Sequence, residues 1–289
     1  MKKINGSPTI FAGLIPTLES RIGAEQMVED CEELRLMQLQ IIHTALTQYG
    51  NIMGGYMTEI TMILSRTLQD PFHSIRLLAN DILQILIVEF PLQIHQYSEG
   101  LLLPLINSLN HQQSKIRATT VKSMSQLLKI SAPELLRKNL AYLVQRCFDE
   151  NSSVRYALFE EIHDYLDNYR DRYSFFNLLI PIFFGFFDDD DIFISTESKK
   201  KWILLGEKFV KENEQDLKEE IDYPTEIPEN YLEEAERPNL GCREMVGRNI
   251  MGMLPALGRD CQDNLNVDNR KMASRVLCHA IRHCERVIH

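Results

Sequence analysis

The sequence lacks a hydrophobic run long enough to cross a membrane. Its longest apolar stretch, Leu178 to Phe187, is about half of the roughly 20 residues that a spanning helix requires. The N-terminal residues also lack the apolar core of a secretion signal ahead of Pro16 and Glu19. The 6 cysteines are scattered through 289 residues instead of forming a dense disulfide framework. We therefore expect a cytoplasmic protein with reduced thiols and no membrane partner.

An excess of basic charge is also missing. The formal net charge is −10, which argues against nucleic acid as a partner, because phosphate contacts require a basic surface. The acidity is concentrated in residues 211–237, where eleven acidic and three basic side chains lie together. Most of the chain outside that segment is close to neutral.

Sequence signatures of catalysis are absent. The chain contains no GxSxG, no phosphate-binding GxxxxGK[ST] and no HExxH, which are the patterns that place a nucleophile, a phosphate or a zinc ion on a fixed local structure. We therefore predict a protein that is not an enzyme, with no catalytic residues and no cofactor.

Two clusters are candidates for a metal site. His279 and His283 are spaced to share one side of a helix, with Cys278 and Cys284 beside them, as two zinc ligands would be. The aspartate run 188–191 could hold a hard cation through carboxylate oxygens. The alternatives are surface histidines beside half-buried thiols, and aspartates that cap the next helix. We favour these alternatives, and the sequence predicts no metal.

A repeat of about 40 residues is present instead. The segments EDCEELR, DPFHSIR, HQQSKIR and DENSSVR each end in an aliphatic residue and an arginine, and the arginines are 41, 41 and 38 residues apart. A further step of 40 reaches Ser195, where the arginine is missing. After each arginine, apolar residues recur with the 3.6-residue period of a helix, and a shorter apolar helix precedes each turn. Each unit is therefore predicted to be a helical hairpin.

Stacked hairpins of this length, with an acid in the turn and an arginine after it, resemble the HEAT repeat. The predicted fold class is all-α, an α-solenoid of about six stacked antiparallel helical hairpins. The turn residues are predicted to pair across neighbouring repeats in a ladder formed by Asp70, Arg76, Arg117, Asp149 and Arg155. Prolines inside first helices, Pro16, Pro104 and Pro181, are expected to bend them.

The pattern divides the chain into three parts. Residues 1–211 hold about five hairpins, and residues 212–238 form an acidic insertion that contains prolines. Residues 239–289 are predicted to add a further HEAT-like hairpin that continues the same solenoid. Its first helix is expected to run from Val246 to Leu257, where the helical period resumes.

Five segments carry a more specific resemblance: CEELRLMQLQ at Cys31, RTLQDPF at Arg66, RDRYSFFNLLIP at Arg170, KENEQDLKEEID at Lys211, and RPNLGCREMVGRNIMGMLPAL at Arg237. Their order and spacing are similar to those of the dynein axonemal assembly factor 5 family across nearly the whole chain. The chain resembles part of such a protein, since full-length members carry more repeats. The loss of arginine at Ser195 and the long aspartate run depart from the repeat pattern.

The resemblance implies a cytoplasmic, non-enzymatic scaffold for preassembly of the outer and inner dynein arms that cilia need for motility. Its partners would be axonemal dynein subunits, other dynein assembly factors and chaperone machinery. The repeat pattern alone leaves an alternative open, a general HEAT-repeat adaptor in transport or phosphatase assembly.

Two of these segments supply candidate partner-binding residues. The first set is Arg170, Asp171, Arg172 and Tyr173; the second is Arg237, Leu240, Gly241, Cys242, Arg243 and Glu244. Each set has a structural alternative: a packed turn between repeats for the first, and docking of the insertion back onto the helices for the second.

Overall fold

The computed structural model describes residues 9–220, 237–263 and 265–284, and within these residues all regular structure is helical. The chain divides into two compact units, residues 1–158 and residues 159–289. No helix in the described residues is long and apolar enough to span a membrane.

The first unit is built from consecutive helices joined by short turns. They are α1 (Thr9–Leu18), α2 (Glu32–Met53), α3 (Met57–Thr67), α4 (His73–Glu89), α5 (Pro91–Ser108), α6 (Ser114–Ile130), α7 (Pro133–Val144) and the first turns of α8 (Ser152–Asn168). Pro91 and Pro133 begin α5 and α7, since proline at the first helical position sacrifices no hydrogen bond.

Helices of the first unit pack in two layers. Helix α4 lies between α2 and α6 in one layer, α3 packs against α5 in the other, and consecutive helices pair across the layers. Leu83 and Leu86 on α4, like Met124 and Leu127 on α6, are completely buried. These residues lie on the apolar helical period that follows Arg76 and Arg117, so the periodic apolar face is the face that the hairpins bury against each other.

The second unit continues α8 and adds α9 (Phe176–Gly185), α10 (Ile192–Glu212), α11 (Glu214–Glu220), α12 (Leu240–Gly247), α13 (Ile250–Asp263) and α14 (Val267–His283). Helix α10 packs against α12, whereas α9 packs against α13 and α14, which also pack together. The apolar stretch 178–187 forms most of α9 and the short 3-10 turn after it, and its phenylalanines are buried.

The predicted all-α repeat solenoid is confirmed, and Pro16, Pro104 and Pro181 lie inside α1, α5 and α9. One helix prediction was wrong. The expected helix from Val246 to Leu257 is interrupted after α12 by a turn at 248–249.

At this turn the Asn249 N–H donates to the carbonyl oxygen of Val246, three residues earlier, at 3.0 Å, and the Met245 carbonyl accepts the Asn249 side chain at 2.8 Å instead. The predicted division into residues 1–211, 212–238 and 239–289 stays a prediction, since most of the acidic insertion, residues 221–236, lies outside the described residues.

Candidate functional site

Two arginines of the repeat turns form bidentate ion pairs in the first unit. Arg117 donates from Nε and Nη2 to the two carboxylate oxygens of Asp149, both at 2.7 Å. Arg35 makes the same pair of bonds to Asp70, at 2.8 and 2.9 Å. Each pair joins one turn to the turn of the following repeat, which is the geometry expected of a ladder.

Arg117 and Asp149 each shift the pKa of the other so that both side chains stay charged. The hydrogen bond to Asp149 raises the pKa of Arg117 against the opposing effect of burial. Burial pushes the pKa of Asp149 upward, but the hydrogen bonds from Arg117 and from the Asn151 backbone N–H outweigh it and leave that pKa lowered. A half-buried pair of this kind holds two turns in register.

Arg76, another predicted ladder arginine, has no carboxylate partner in the part of the chain that the structure describes. It donates to the carbonyl oxygen of Asp70 at 2.6 Å and to the hydroxyl of Ser108 at 3.2 Å. His111 occupies the position six residues before the next arginine, where an aspartate stands in the flanking turns. Burial, followed by the charges of Arg76 and Arg117, lowers the pKa of His111. Arg155, the last predicted ladder arginine, donates to the carbonyl oxygen of Asp149 at 2.8 Å.

The residue at this turn position also caps the turn. Asp70, His111 and Asp149 each accept the backbone N–H of the residue two positions later, at 2.8, 3.0 and 3.0 Å. A neutral imidazole nitrogen thus accepts the same backbone N–H that the aspartate accepts in the flanking turns. It does not supply the negative charge.

We expect His111→Asp to stabilise the first unit by about 1 kcal/mol, because the carboxylate would keep the cap and also accept from Arg76. Urea denaturation followed by circular dichroism measures the gain. The same substitution in an Arg76→Gln background should give no gain. An equal gain in both backgrounds would show that Arg76 does not pair with the new carboxylate.

The turn between α8 and α9 is fastened to the end of α10. Arg172 donates from Nη2 to Oε2 of Glu212 at 2.5 Å, and the Tyr173 hydroxyl donates to the same oxygen at 3.0 Å. The Arg172 guanidinium lies 4.9 Å from the centre of the Tyr173 ring, as in a cation–π contact. Arg170 and Asp171 are exposed at the front of the turn.

The Tyr173 ring of the same turn also packs against two phenylalanine rings. The Tyr173 ring lies 5.1 Å from the ring of Phe176 and 6.0 Å from that of Phe209. Arg172 and Tyr173 are therefore occupied within the unit. Arg170, Asp171 and Tyr173 all keep exposed side chains that a partner could contact, and Asp171 also accepts the Ser174 hydroxyl at 2.8 Å.

The LGCRE segment begins α12 and attaches it to α10. Asn239 caps the helix by accepting the Cys242 N–H at 2.8 Å, and its Nδ2 donates to the carbonyl oxygen of Ile203 at 3.0 Å. The Cys242 thiol donates to the carbonyl oxygen of Trp202 at 3.2 Å. Burial raises the pKa of Cys242 to about 12, so the group is a thiol donor and not a nucleophilic thiolate.

Glycines make this contact possible. A Cβ atom added to Gly241 would lie 1.8 Å from the carbonyl oxygen of Gly206, and one added to Gly206 would lie 2.5 Å from the sulfur of Cys242. The backbones of α10 and α12 are thus in direct contact, which only glycine permits at both positions.

The remaining candidates in this segment lie around that contact. Arg237, Leu240, Arg243 and Glu244 are half-buried, and Glu244 pairs with Arg248 at 3.3 Å within the helix region. The described geometry therefore gives Gly241 and Cys242 a docking role in the second unit.

The aspartate run and the two histidines all lie in the second unit. Only Asp188 and His279 are paired with each other. Asp191 accepts the Phe193 N–H at 3.0 Å and caps α10, while Asp188 lies 2.8 Å from Nε2 of His279. His283 was expected at the surface, and that expectation was wrong. It is buried and accepts a hydrogen bond from the Trp202 indole N–H at 2.9 Å.

The protonation state of His283 follows from its two partners. Its Nδ1 lies 2.6 Å from the carbonyl oxygen of His279, so this nitrogen carries the proton and Nε2 accepts from Trp202. Burial lowers the pKa of His283 to about 4, since a charged imidazolium would lose both water and its indole donor. In the described residues, no group of three or more His, Cys, Asp or Glu side chains could hold a metal ion.

Sequence reasoning missed the partners that complete these contacts. Glu212 is 40 residues after Arg172, and Gly206 is 35 residues before Gly241. The repeat step of about 40 was a signal that could have linked Arg172 to Glu212. No sequence signal pointed to Trp202 as the partner of a histidine 81 residues away.

Two protein-family models match this chain. A family model described as "Dynein axonemal assembly factor 5-like, TPR repeats" matches residues 1–220. A second, "Dynein axonemal assembly factor 5, HEAT-repeat domain", matches residues 229–289. Together these two matches cover nearly the whole sequence.

Similar curated proteins carry the same description. Dynein axonemal assembly factor 5 of Xenopus laevis is 32% identical over 272 residues, which cover 94% of this chain and 32% of that protein. The Mus musculus protein of the same name is 32% identical over 276 residues, with the same coverage of both chains. The chain thus spans about a third of the length of the curated relatives that it matches.

A solved structure supports the fold alone. A designed armadillo repeat protein in complex with the peptide (KR)4 aligns with a TM-score of 0.50 at 13% identity, covering 92% of this chain and 98% of that one. Armadillo repeats are stacked helical units, so the likeness extends to the architecture.

Proposed function

The chain belongs to the dynein axonemal assembly factor 5 family, and from that premise we propose that it acts as a non-enzymatic scaffold for cytoplasmic preassembly of axonemal dynein arms. The observation that carries the proposal is the family match, which extends over residues 1–220 and 229–289. The chain spans about a third of the length of these relatives, so their whole-protein activity is carried over here as a proposal.

Outer and inner arms needed for ciliary motility are the proposed products of this assembly. Axonemal dynein subunits, other assembly factors and chaperone machinery are the proposed partners. The fold supports such a role, because stacked hairpins present extended surfaces to part-folded partners without chemistry of their own. We also propose that Arg170 and Asp171 contribute to partner contact, since both lie exposed on a turn that is fixed behind them.

Deleting the gene in a ciliated cell tests the proposal. We expect electron micrographs of axonemes to lack dynein arms while the microtubule doublets remain intact, because a preassembly factor acts before the arms enter the cilium. Reintroducing the gene should restore the arms.

Normal arms in the deletion strain would overturn this function. The general adaptor role makes a different prediction, since affinity purification from a non-ciliated tissue would then recover transport receptors or phosphatase subunits and no dynein. Recovery of dynein chains from the cytoplasm of ciliated cells supports the assembly role.

A further inference from the structure

One face of α10 leaves large apolar side chains exposed. Ile192 is 82% exposed, Phe193 60%, Ile203 50% and Leu204 59%. At about 100° per residue these four positions fall on one side of the helix. The opposite side carries Ile194, Ser198, Leu205 and Phe209, which are buried.

The exposed face is bordered on both sides within the second unit. On one side Lys201 reaches Glu160 of α8 at 2.5 Å, and Lys208 reaches Asp167 at 2.6 Å. On the other side Gly206 lies against α12. The exposed face is therefore a strip between two packed neighbours, and we name it the α10 strip.

The charges on the α10 strip differ in sign from the charge of the chain. Lys199, Lys200 and Lys211 are exposed on it, and Lys200 is 66% exposed with Glu197 at 3.8 Å. Glu197 and Glu207 are its acidic residues, so three exposed lysines stand against two glutamates. A net positive apolar strip on a protein with a net charge of −10 selects for an acidic occupant.

We propose that the α10 strip binds an amphipathic helix of a partner protein, with leucine-type anchors on one face and Asp or Glu beside them. Apolar groups at Phe193, Ile203 and Leu204 would receive anchors spaced by three, four or seven residues. Lys200 and Lys211 would pair with the flanking carboxylates. This inference rests on the proposed scaffold function, for which it names the chemistry of a partner segment.

An anionic membrane surface fits less well than a helix. Glu160, Asp167 and Glu212 along one border of the strip already pair with Lys201, Lys208 and Arg172, so these basic groups are not available to lipid phosphates. A single helix can align its acidic residues with the lysines and avoid these carboxylates, whereas a uniformly anionic plane cannot.

Fluorescence anisotropy with a labelled synthetic helical peptide of about 18 residues, built from Leu, Ala and Glu, tests the inference on the whole 289-residue chain. We expect the peptide to bind, and Leu204→Glu to weaken it by about tenfold or more. Lys200→Glu should weaken binding and make it less sensitive to salt. Met251→Glu is the matched control, since Met251 is 71% exposed on α13 and lies outside the strip.

Four results would overturn the inference. These are equal affinity for a peptide with Lys in place of Glu, an equal loss with Met251→Glu, binding to phosphatidylserine vesicles but not to the peptide, and self-association of the chain that Leu204→Glu abolishes. The circular dichroism spectrum of each variant should match that of the wild-type protein, which shows that any loss of binding is not a loss of folding.

The cellular test separates this inference from the proposed function. If deletion of the gene removes the arms but the Leu204→Glu protein restores them fully, the strip is not the partner site and the scaffold role stands. If deletion leaves the arms intact, the scaffold role falls, whatever the peptide does.

Discussion

Gly241→Ala is expected to destabilise the second unit by about 3 kcal/mol or more, the upper end of the cost of overpacking. The new Cβ would lie 1.8 Å from the carbonyl oxygen of Gly206, a distance that no relaxation of side chains can relieve, because the obstacle is backbone. Helix α12 must therefore move away from α10. That movement also breaks the hydrogen bonds that Asn239 and Cys242 make to α10, each worth about 1 kcal/mol.

Urea denaturation followed by tryptophan fluorescence measures this loss. The chain has 1 tryptophan, and Trp202 lies on α10 next to the affected contact, so its emission reports on the second unit without a label. The midpoint should fall to lower urea in the Gly241→Ala protein.

Gly258→Ala is the matched control for this substitution. Gly258 lies inside α13, and a Cβ added there meets nothing within 4 Å. Alanine should stabilise that helix by about 0.5–1 kcal/mol because it loses less backbone entropy than glycine. If both variants lose stability equally, the contact between α10 and α12 is not what makes Gly241 necessary.

The fold could be predicted because its determinants are local and repeated. Apolar residues such as Leu83 and Met124 recur at helical spacing within each unit, and the arginine of each turn marks the start of the second helix. Stacking then follows, since one hairpin cannot bury its apolar face alone. Local pattern therefore sufficed for the helical units.

The residues that α12 and α14 contact could not be predicted, because they are far from these helices in the sequence. Nothing in the local sequence distinguishes Gly206, which permits a helix contact, from Gly258, which contacts nothing. His111 is a different case. The segment HQQSKIR shows that His111 replaces the aspartate of the other turns. The sequence does not show that Arg76 then donates to Ser108 instead of to a carboxylate.

Acidification from pH 6.5 to pH 4 is expected to destabilise the second unit by an amount on the order of 3 kcal/mol through His283 alone. Its pKa is about 4 in the folded protein, compared with an ordinary value of 6.5. Between these values the unfolded chain binds a proton that the folded chain does not, so stability falls as pH falls. Above about pH 7.5 the imidazole is neutral in both states and the full contribution is present.

Burial is the main physical cause of the lowered pKa, and the hydrogen bond from Trp202 requires the neutral ring. A protonated Nε2 cannot accept the indole N–H, and the ring of Phe184, 5.0 Å away, offers no compensating charge. The nearby charged groups are Arg282, which opposes protonation, and His279, which is paired with Asp188. Trp202 fluorescence should therefore change in the same pH window as stability.

His283→Gln separates this contribution from the carboxylates, which also titrate in acid. Glutamine keeps an oxygen that can accept from Trp202 but does not ionise, so the loss of stability between pH 6.5 and pH 4 should shrink by most of the 3 kcal/mol. His279→Gln, one helical turn away, should keep the steep dependence. A wild-type slope in the His283→Gln protein would assign the acid sensitivity to other groups, because the only change that this variant makes to titration is the loss of the buried imidazole.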